Sequence, residues 1–198
     1  GEAAAELAAV DARVRVVSLP QNVGQHAAAL VGLARAQGGW TVVMDGDLQD
    51  PPEAVPALVA AGREADVPVV FAGRRGRYES RGRLLTSRLH KRTLALLAGV
   101  PADAGIFVAL ERPVVDELLT MRTRRRPSLV AMIGCVGAPM SSVPVERAPR
   151  PEGGSSYSPW GRLRLGWRAL AWVVSWKVGR RLRASGDGEE SVGGRADA

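Results

Sequence analysis

A chain of 198 residues is long enough for one domain with a sizeable core. Its lone cysteine, Cys135, excludes a disulfide framework within the chain, and no uninterrupted apolar run approaches the ~20 residues needed to span a bilayer. The net charge of +7 is segregated: residues 1–70 hold 4 basic and 9 acidic groups, residues 71–183 hold 22 and 7, so the basic portion suits phosphates, nucleic acid or an acidic membrane surface.

The predicted elements alternate. Residues 2–10 read as helix and Val14–Leu19 as a short strand. Gly24–Gln37 has a helical pattern closed by Gly38-Gly39, and Trp40–Met44 is an apolar strand. Pro52–Ala65 reads as a helix with proline in its first turn, followed by a strand over Val67–Ala72. Arg83–Ala98 is predicted helical, Ile106–Leu110 a strand and Pro113–Met121 a helix. Ser128–Val136 is apolar throughout, Val143–Arg147 is a strand, and Pro149–Pro159 is a loop rich in Pro, Gly and Ser. Trp160–Arg183 reads as a helix, and Ala184–Ala198 as a disordered tail. Strands alternating with helices of this length predict βαβ units and a mostly parallel sheet covered on both faces, a Rossmann-like α/β class.

The most informative stretch follows the Trp40–Met44 strand: Asp45-Gly46-Asp47-Leu48-Gln49-Asp50-Pro51-Pro52-Glu53. In an extended chain, residues i and i+2 project to the same side, so Asp45, Asp47 and then Gln49 are expected to face one spot at a strand's carboxyl end. Two such carboxylates repel unless a cation or solvent screens them. Mg²⁺ and Mn²⁺ take few protein oxygens and complete their shell with water and phosphate oxygens. Open α/β sheets bind ligands at the carboxyl ends of their strands. The expectation is a metal–diphosphate site held by Asp45, Asp47 and Gln49. The alternative is an acidic helix start, with Asp47 or Asp50 capping the helix that begins at Pro51 or Pro52.

That nine-residue string resembles the Asp-x-Asp-Leu-Gln-x-Pro-Pro-Glu signature of inverting family 2 glycosyltransferases, in the polyprenyl-phosphate (dolichyl-phosphate mannosyltransferase-like) branch. Asn22-Val23-Gly24-Gln25-His26 is similar to the branch's upstream Asn-x-Gly segment. Gly73-Arg74-Arg75, Ser87-Arg88, and Arg147 and Arg150 with Gly154-Ser155-Ser156-Tyr157-Ser158 follow in the family's order, so the resemblance covers roughly residues 13–160. It implies a glycosyltransferase A-type fold over residues 1–159 that moves a sugar from a UDP or GDP donor to a polyprenyl phosphate, with Mg²⁺ or Mn²⁺ as cofactor.

The resemblance also implies roles. Asp45, Asp47, Arg74 and Arg150 carry the chemistry, with Asn22, Gly24, Gln49, Arg88, Arg147, Ser155 and Tyr157 on the substrates. An acceptor phosphate is already mostly dianionic near neutral pH, its second pKa being about 6, so it needs positioning cations rather than a protein base. Departures from the family pattern are visible. The Ser-Lys-Tyr loop reads Ser155-Ser156-Tyr157, and the Phe-Arg-Leu strand reads Phe107-Val108-Ala109-Leu110. The family's two preceding strands, whose Pro-x-Tyr-Asn-Glu and Asp-Asp-Gly-Ser segments hold base and ribose, have no counterpart here, which implies an N-terminally truncated domain.

Trp160, Trp167, Trp172 and Trp176 alternate with arginines along residues 160–183, a composition suited to a lipid headgroup region. That segment is expected to be an amphipathic membrane-interface helix, placing the protein peripherally at the cytoplasmic face. The rival is a helix packed on the core. Two other functional readings stand beside the enzyme: a non-catalytic paralogue or fragment that binds membrane or a partner chain, and a nucleic-acid module. No zinc spacing, RNA-binding aromatic signature or basic helix-turn-helix pattern supports the last, so no nucleic-acid partner is expected.

Overall fold

The computed structural model describes residues 2–47, 49–75, 98–121, 128–146 and 171–179. Helices α1 (Glu2–Val10) and α2 (Gln25–Leu33) precede strand β1 (Trp40–Val43). A single 3₁₀ turn at Pro52–Ala54 leads into α3 (Val55–Ala65), and β2 (Val69–Arg75) follows. Beyond it come β3 (Val108–Glu111), α4 (Arg112–Thr120), α5 (Leu129–Val136) and β4 (Met140–Glu146). Residues 171–179 form a further helix, α6.

The strands join in the order β1-β3-β2-β4. β3 is antiparallel to both β1 and β2, whereas β2 and β4 are parallel neighbours over the full length of each. Thus β1, β2 and β4 share one direction, and the α/β class with flanking helices holds. The reversed β3 lies outside simple βαβ alternation. Its register pairs Val108 with Val43 at the carboxyl end of β1 and with Phe71 in the first half of β2. Residues just ahead of β3 are therefore carried to the sheet end toward which β1 and β2 run.

Side chains alternate across the sheet and build two cores. Val69, Phe71, Val108 and Leu110 face a large cluster completed by Leu33 of α2, by Val114, Val115 and Leu118 of α4, and by α5. Val70, Ala72, Ala109 and Val145 face a smaller cluster covered by Leu58 of α3. Gly62 of α3 lies against the Trp40 ring, where an added Cβ would collide with it. Arg112 closes the α2–β1 connection: its guanidinium donates to Ala36 O at 2.6 Å and Gly38 O at 3.0 Å, while its backbone N–H donates to Gly39 O at 2.8 Å. This arginine serves the fold, satisfying carbonyls just beyond a helix end.

One expectation changes, and two segments gain detail. Val14–Leu19 is extended but joins no ladder among the described residues, and Val16 and Val17 stay exposed. β-branched composition gives a segment strand propensity but no partner edge. Ser128–Val136, apolar throughout, contains helix α5: the Ser128 hydroxyl accepts from Ala131 N–H at 3.3 Å, and Gly137, at φ 79°, ends it. Finally, α6 turns Val173 fully into the large core, with Trp172 and Trp176 packed beside it and stacked at 5.4 Å. Its outward face carries Val174, Lys177 and Val178. Among the described residues no helix is long and apolar enough to cross a membrane.

Candidate active site

The ladder between β1 and β3 stops at Val43, so the acidic string begins in the loop beyond the strand. Chain direction bends at Gly46 and Asp47, and the i, i+2 alternation of a strand does not govern Asp45 and Asp47. Both residues are half-buried at the carboxyl end of β1, and one oxygen of each accepts from a specific donor. The Gln25 amide nitrogen, on the first residue of α2, donates to Asp45 Oδ1. Asp47 Oδ1 accepts from the Gln49 backbone N–H at 3.2 Å, a turn that folds Gln49 back toward it. Pro51, and not Asp50 or Asp47, occupies the cap position of the 3₁₀ turn, while Asp50 is 2% exposed.

Next to Gln25, His26 is half-buried; burial draws its imidazole pKa below the usual value, and the nearby Asp45 charge opposes that in part. Asn22 Oδ1 accepts from Gly24 N–H at 2.9 Å, and Gly24 adopts φ 81°, a conformation that glycine takes without strain. Together they turn the chain into α2. Both residues line an open cleft of about 410 Å³ that also touches Val17, Leu19, Val23 and Gln25. The cleft therefore adjoins the acid loop through Gln25.

A second polar pair stands at the same sheet edge. Ser142 Oγ of β4 donates to Asp103 Oδ2 at 2.8 Å, in the segment just ahead of β3. Gly73 of β2 lies beneath them, and a Cβ there would collide with both Asp103 Oδ2 and Ser142 Oγ. Arg74, the next residue, belongs to β2 and is paired in register with Val145. Arg88, Arg147, Arg150, Ser155 and Tyr157 lie outside the described residues; Glu146, the last described residue before the final four, ends β4 at this edge.

The carboxyl end of β1 thus carries Asp45, Asp47 and Gln49, with Asn22 and Gly24 on the adjoining cleft, while Asp103 meets Ser142 over Gly73 of β2. Gln25 and Ser142 are polar partners that the sequence reading did not place in the site. Gln25 was signalled by its position in Asn-Val-Gly-Gln-His; nothing in the sequence marks Ser142. Among the described residues no group of three or more His, Cys, Asp or Glu converges as a metal centre. Two carboxylates with a side-chain amide are nevertheless the hard oxygen donors that suit Mg²⁺ or Mn²⁺, ions that keep water and phosphate in most of their shell.

Comparison with known proteins agrees with this architecture. Residues 1–131 match the family model for Glycosyl transferase family 2. An undecaprenyl-phosphate 4-deoxy-4-formamido-L-arabinose transferase of Pseudomonas fluorescens is 34% identical over 157 residues, covering 78% of this chain and 46% of that protein. The protein of the same description from Salmonella paratyphi B is 32% identical over 151 residues, covering 75% of this chain and 45% of its own length. The chain therefore spans about half the length of these relatives. Among solved structures, glucosyl-3-phosphoglycerate synthase of Mycobacterium tuberculosis, in complex with phosphoglyceric acid, superposes with a TM-score of 0.57 at 22% identity. That match covers 86% of this chain and 64% of the synthase and speaks for the fold. The extended aspartate string, the strand-end site and the match over residues 1–131 have one conclusion: this chain belongs to glycosyl transferase family 2.

Proposed function

We propose that the chain carries out metal-dependent, inverting transfer of a sugar from a UDP or GDP donor to undecaprenyl phosphate or a similar polyprenyl phosphate. The observation that carries this reading is topological. The reversed β3 brings Asp103 to the sheet end where β1 delivers Asp45 and Asp47. Carboxylates suited to a cation then leave β1 at the sheet end toward which β2 runs with Arg74, a residue type suited to phosphate. The acceptor named for the relatives, undecaprenyl phosphate, fits the need for a nucleophile that is already anionic.

Asp45, Asp47 and Gln49 would hold Mg²⁺ or Mn²⁺. The chemistry such an ion supplies when bound is Lewis-acid neutralisation of charge on a leaving diphosphate. The protein's own part is to orient. Gln25 and the Gln49 backbone N–H fix one oxygen of each aspartate. Arg74, Arg88, Arg147 and Arg150, with Ser155 and Tyr157, are assigned to the phosphates of donor and acceptor, where guanidinium forks bind bidentately and hold the nucleophile without a proton transfer. Membrane contact would be peripheral, at the cytoplasmic face, through residues 160–183; Val174, Lys177 and Val178 form the described part of the face available for it.

The test is transfer of labelled sugar from UDP- or GDP-sugar into organic-extractable polyprenyl phosphate. Label in the organic phase that requires Mn²⁺ or Mg²⁺ supports the reading. Liposome flotation with no transfer under any donor and metal tried replaces it with the non-catalytic paralogue. Salt-sensitive DNA retention with no lipid affinity replaces it with the nucleic-acid module.

A further inference from the structure

The acid loop runs from Met44, packed on the smaller core, to the buried Asp50. β1 pairs only through Val43, and Gly46, between the two aspartates, stands in open space with no atom within 4 Å of where a Cβ would project. A carboxylate whose orientation is set before a cation arrives spares the entropy of fixing it on binding. The α2 start is well anchored. Asn22 holds Gly24 at 2.9 Å, Ala28 N–H donates to Gly24 O at 3.0 Å, and Ala27 and Leu33 are buried. Gln25 leaves this anchored turn and reaches Asp45 Oδ1, 20 residues away in the chain.

We propose that Gln25 is a positioning residue: it carries the rigidity of α2's first turn to Asp45 and fixes the orientation in which that carboxylate holds a divalent cation. The inference rests on the metal–diphosphate reading above. A neutral amide is well chosen for such a task. It engages one carboxylate oxygen through a directional hydrogen bond and leaves the negative charge in place for the cation, whereas a lysine or arginine there would compete with the ion. Because Gln25 also lines the cleft, the same side chain joins the cleft wall to the acid loop.

The experiment is Mn²⁺ titration followed by the paramagnetic resonance of free manganese, with a saturating nucleoside diphosphate, on the wild-type chain, Gln25→Ala, Gln25→Met and Asp47→Asn. Outer partners of metal ligands typically contribute 10- to 100-fold in metal affinity, so Gln25→Ala and Gln25→Met are expected to bind Mn²⁺ roughly 10-fold more weakly. Methionine keeps the unbranched stem and removes the donor, so it reports if the alanine variant folds poorly. Nucleoside-diphosphate affinity in chelator should stay within about twofold of wild type, which a merely structural role for Gln25 would not predict. Wild-type affinity in both Gln25 variants, or a parallel loss of metal and nucleotide binding, overturns the positioning role. If the wild-type chain itself takes up no Mn²⁺, the metal–diphosphate reading fails instead, and the two failures are distinguishable.

Discussion

Two polar pairs stand at one edge of the sheet, and they are built differently. Gln25–Asp45 joins a helix start to a loop around Gly46, where the surroundings are open. Ser142–Asp103 is clamped against Gly73, where there is no room even for a methyl group. The first pair stands beside open space; the second, whose carboxylate is exposed, joins three segments at once. Room for a methyl group at Gly46, and none at Gly73 unless its neighbours shift, divide the sheet end into an open half and a crowded half.

Substitutions can break that division, and the largest effect is expected from the open half. Asp47→Asn removes a charge assigned to the cation, and transfer into polyprenyl phosphate should fall by roughly two to three orders of magnitude, the loss typical when one group stabilising developing charge is removed. The unfolding midpoint in urea should barely move, since the Gln49 N–H can still donate to the asparagine oxygen. Gly73→Ala should act through stability as well: a Cβ that displaces the ends of the Asp103 and Ser142 side chains costs about 1 kcal/mol, at the low end because those ends can move aside, read from the urea midpoint at constant slope.

Smaller effects sharpen the contrast. Ser142→Ala removes the donor to an exposed carboxylate, and about 0.5 kcal/mol is expected, at the low end for a hydrogen bond because water can replace the hydroxyl. Gly46→Ala places its methyl in open space and should change stability by no more than about 0.5 kcal/mol. Equal effects for Gly46→Ala and Gly73→Ala in the same denaturation experiment would erase the distinction between the two halves.

Much of the fold was legible from residue pattern. Trp40–Met44, Val67–Ala72 and Pro52–Ala65 were readable because apolar runs of strand length are bounded by glycine, proline and acidic breaks, and β1, β2 and α3 fall there within a few residues. The direction of β3 was not, because alternation along a strand is the same whichever way the strand runs. Helix α5 was unreadable for a related reason: seven of its residues are buried, so no polar face remains to reveal a period. Within the site, the aspartate string located the acid loop at a strand end, yet the strand geometry used to aim it does not extend that far. Its orientation depends on Gln25, a contact across 20 residues that local sequence does not encode. Ser142 is similar, since a serine in a strand carries no mark of the carboxylate opposite it. The tryptophans of residues 160–183 suit either a lipid headgroup region or the core, because an amphipathic pattern does not say which apolar surface it meets; Trp172 and Trp176 pack on the core.

The most direct test of the cation site is anomalous diffraction at the manganese edge from crystals grown with Mn²⁺ and a nucleoside diphosphate. The account predicts one strong peak between the Asp45 and Asp47 carboxylates, in contact with diphosphate oxygens. A peak elsewhere, or diphosphate bound while those two side chains diverge with no metal between them, would contradict it.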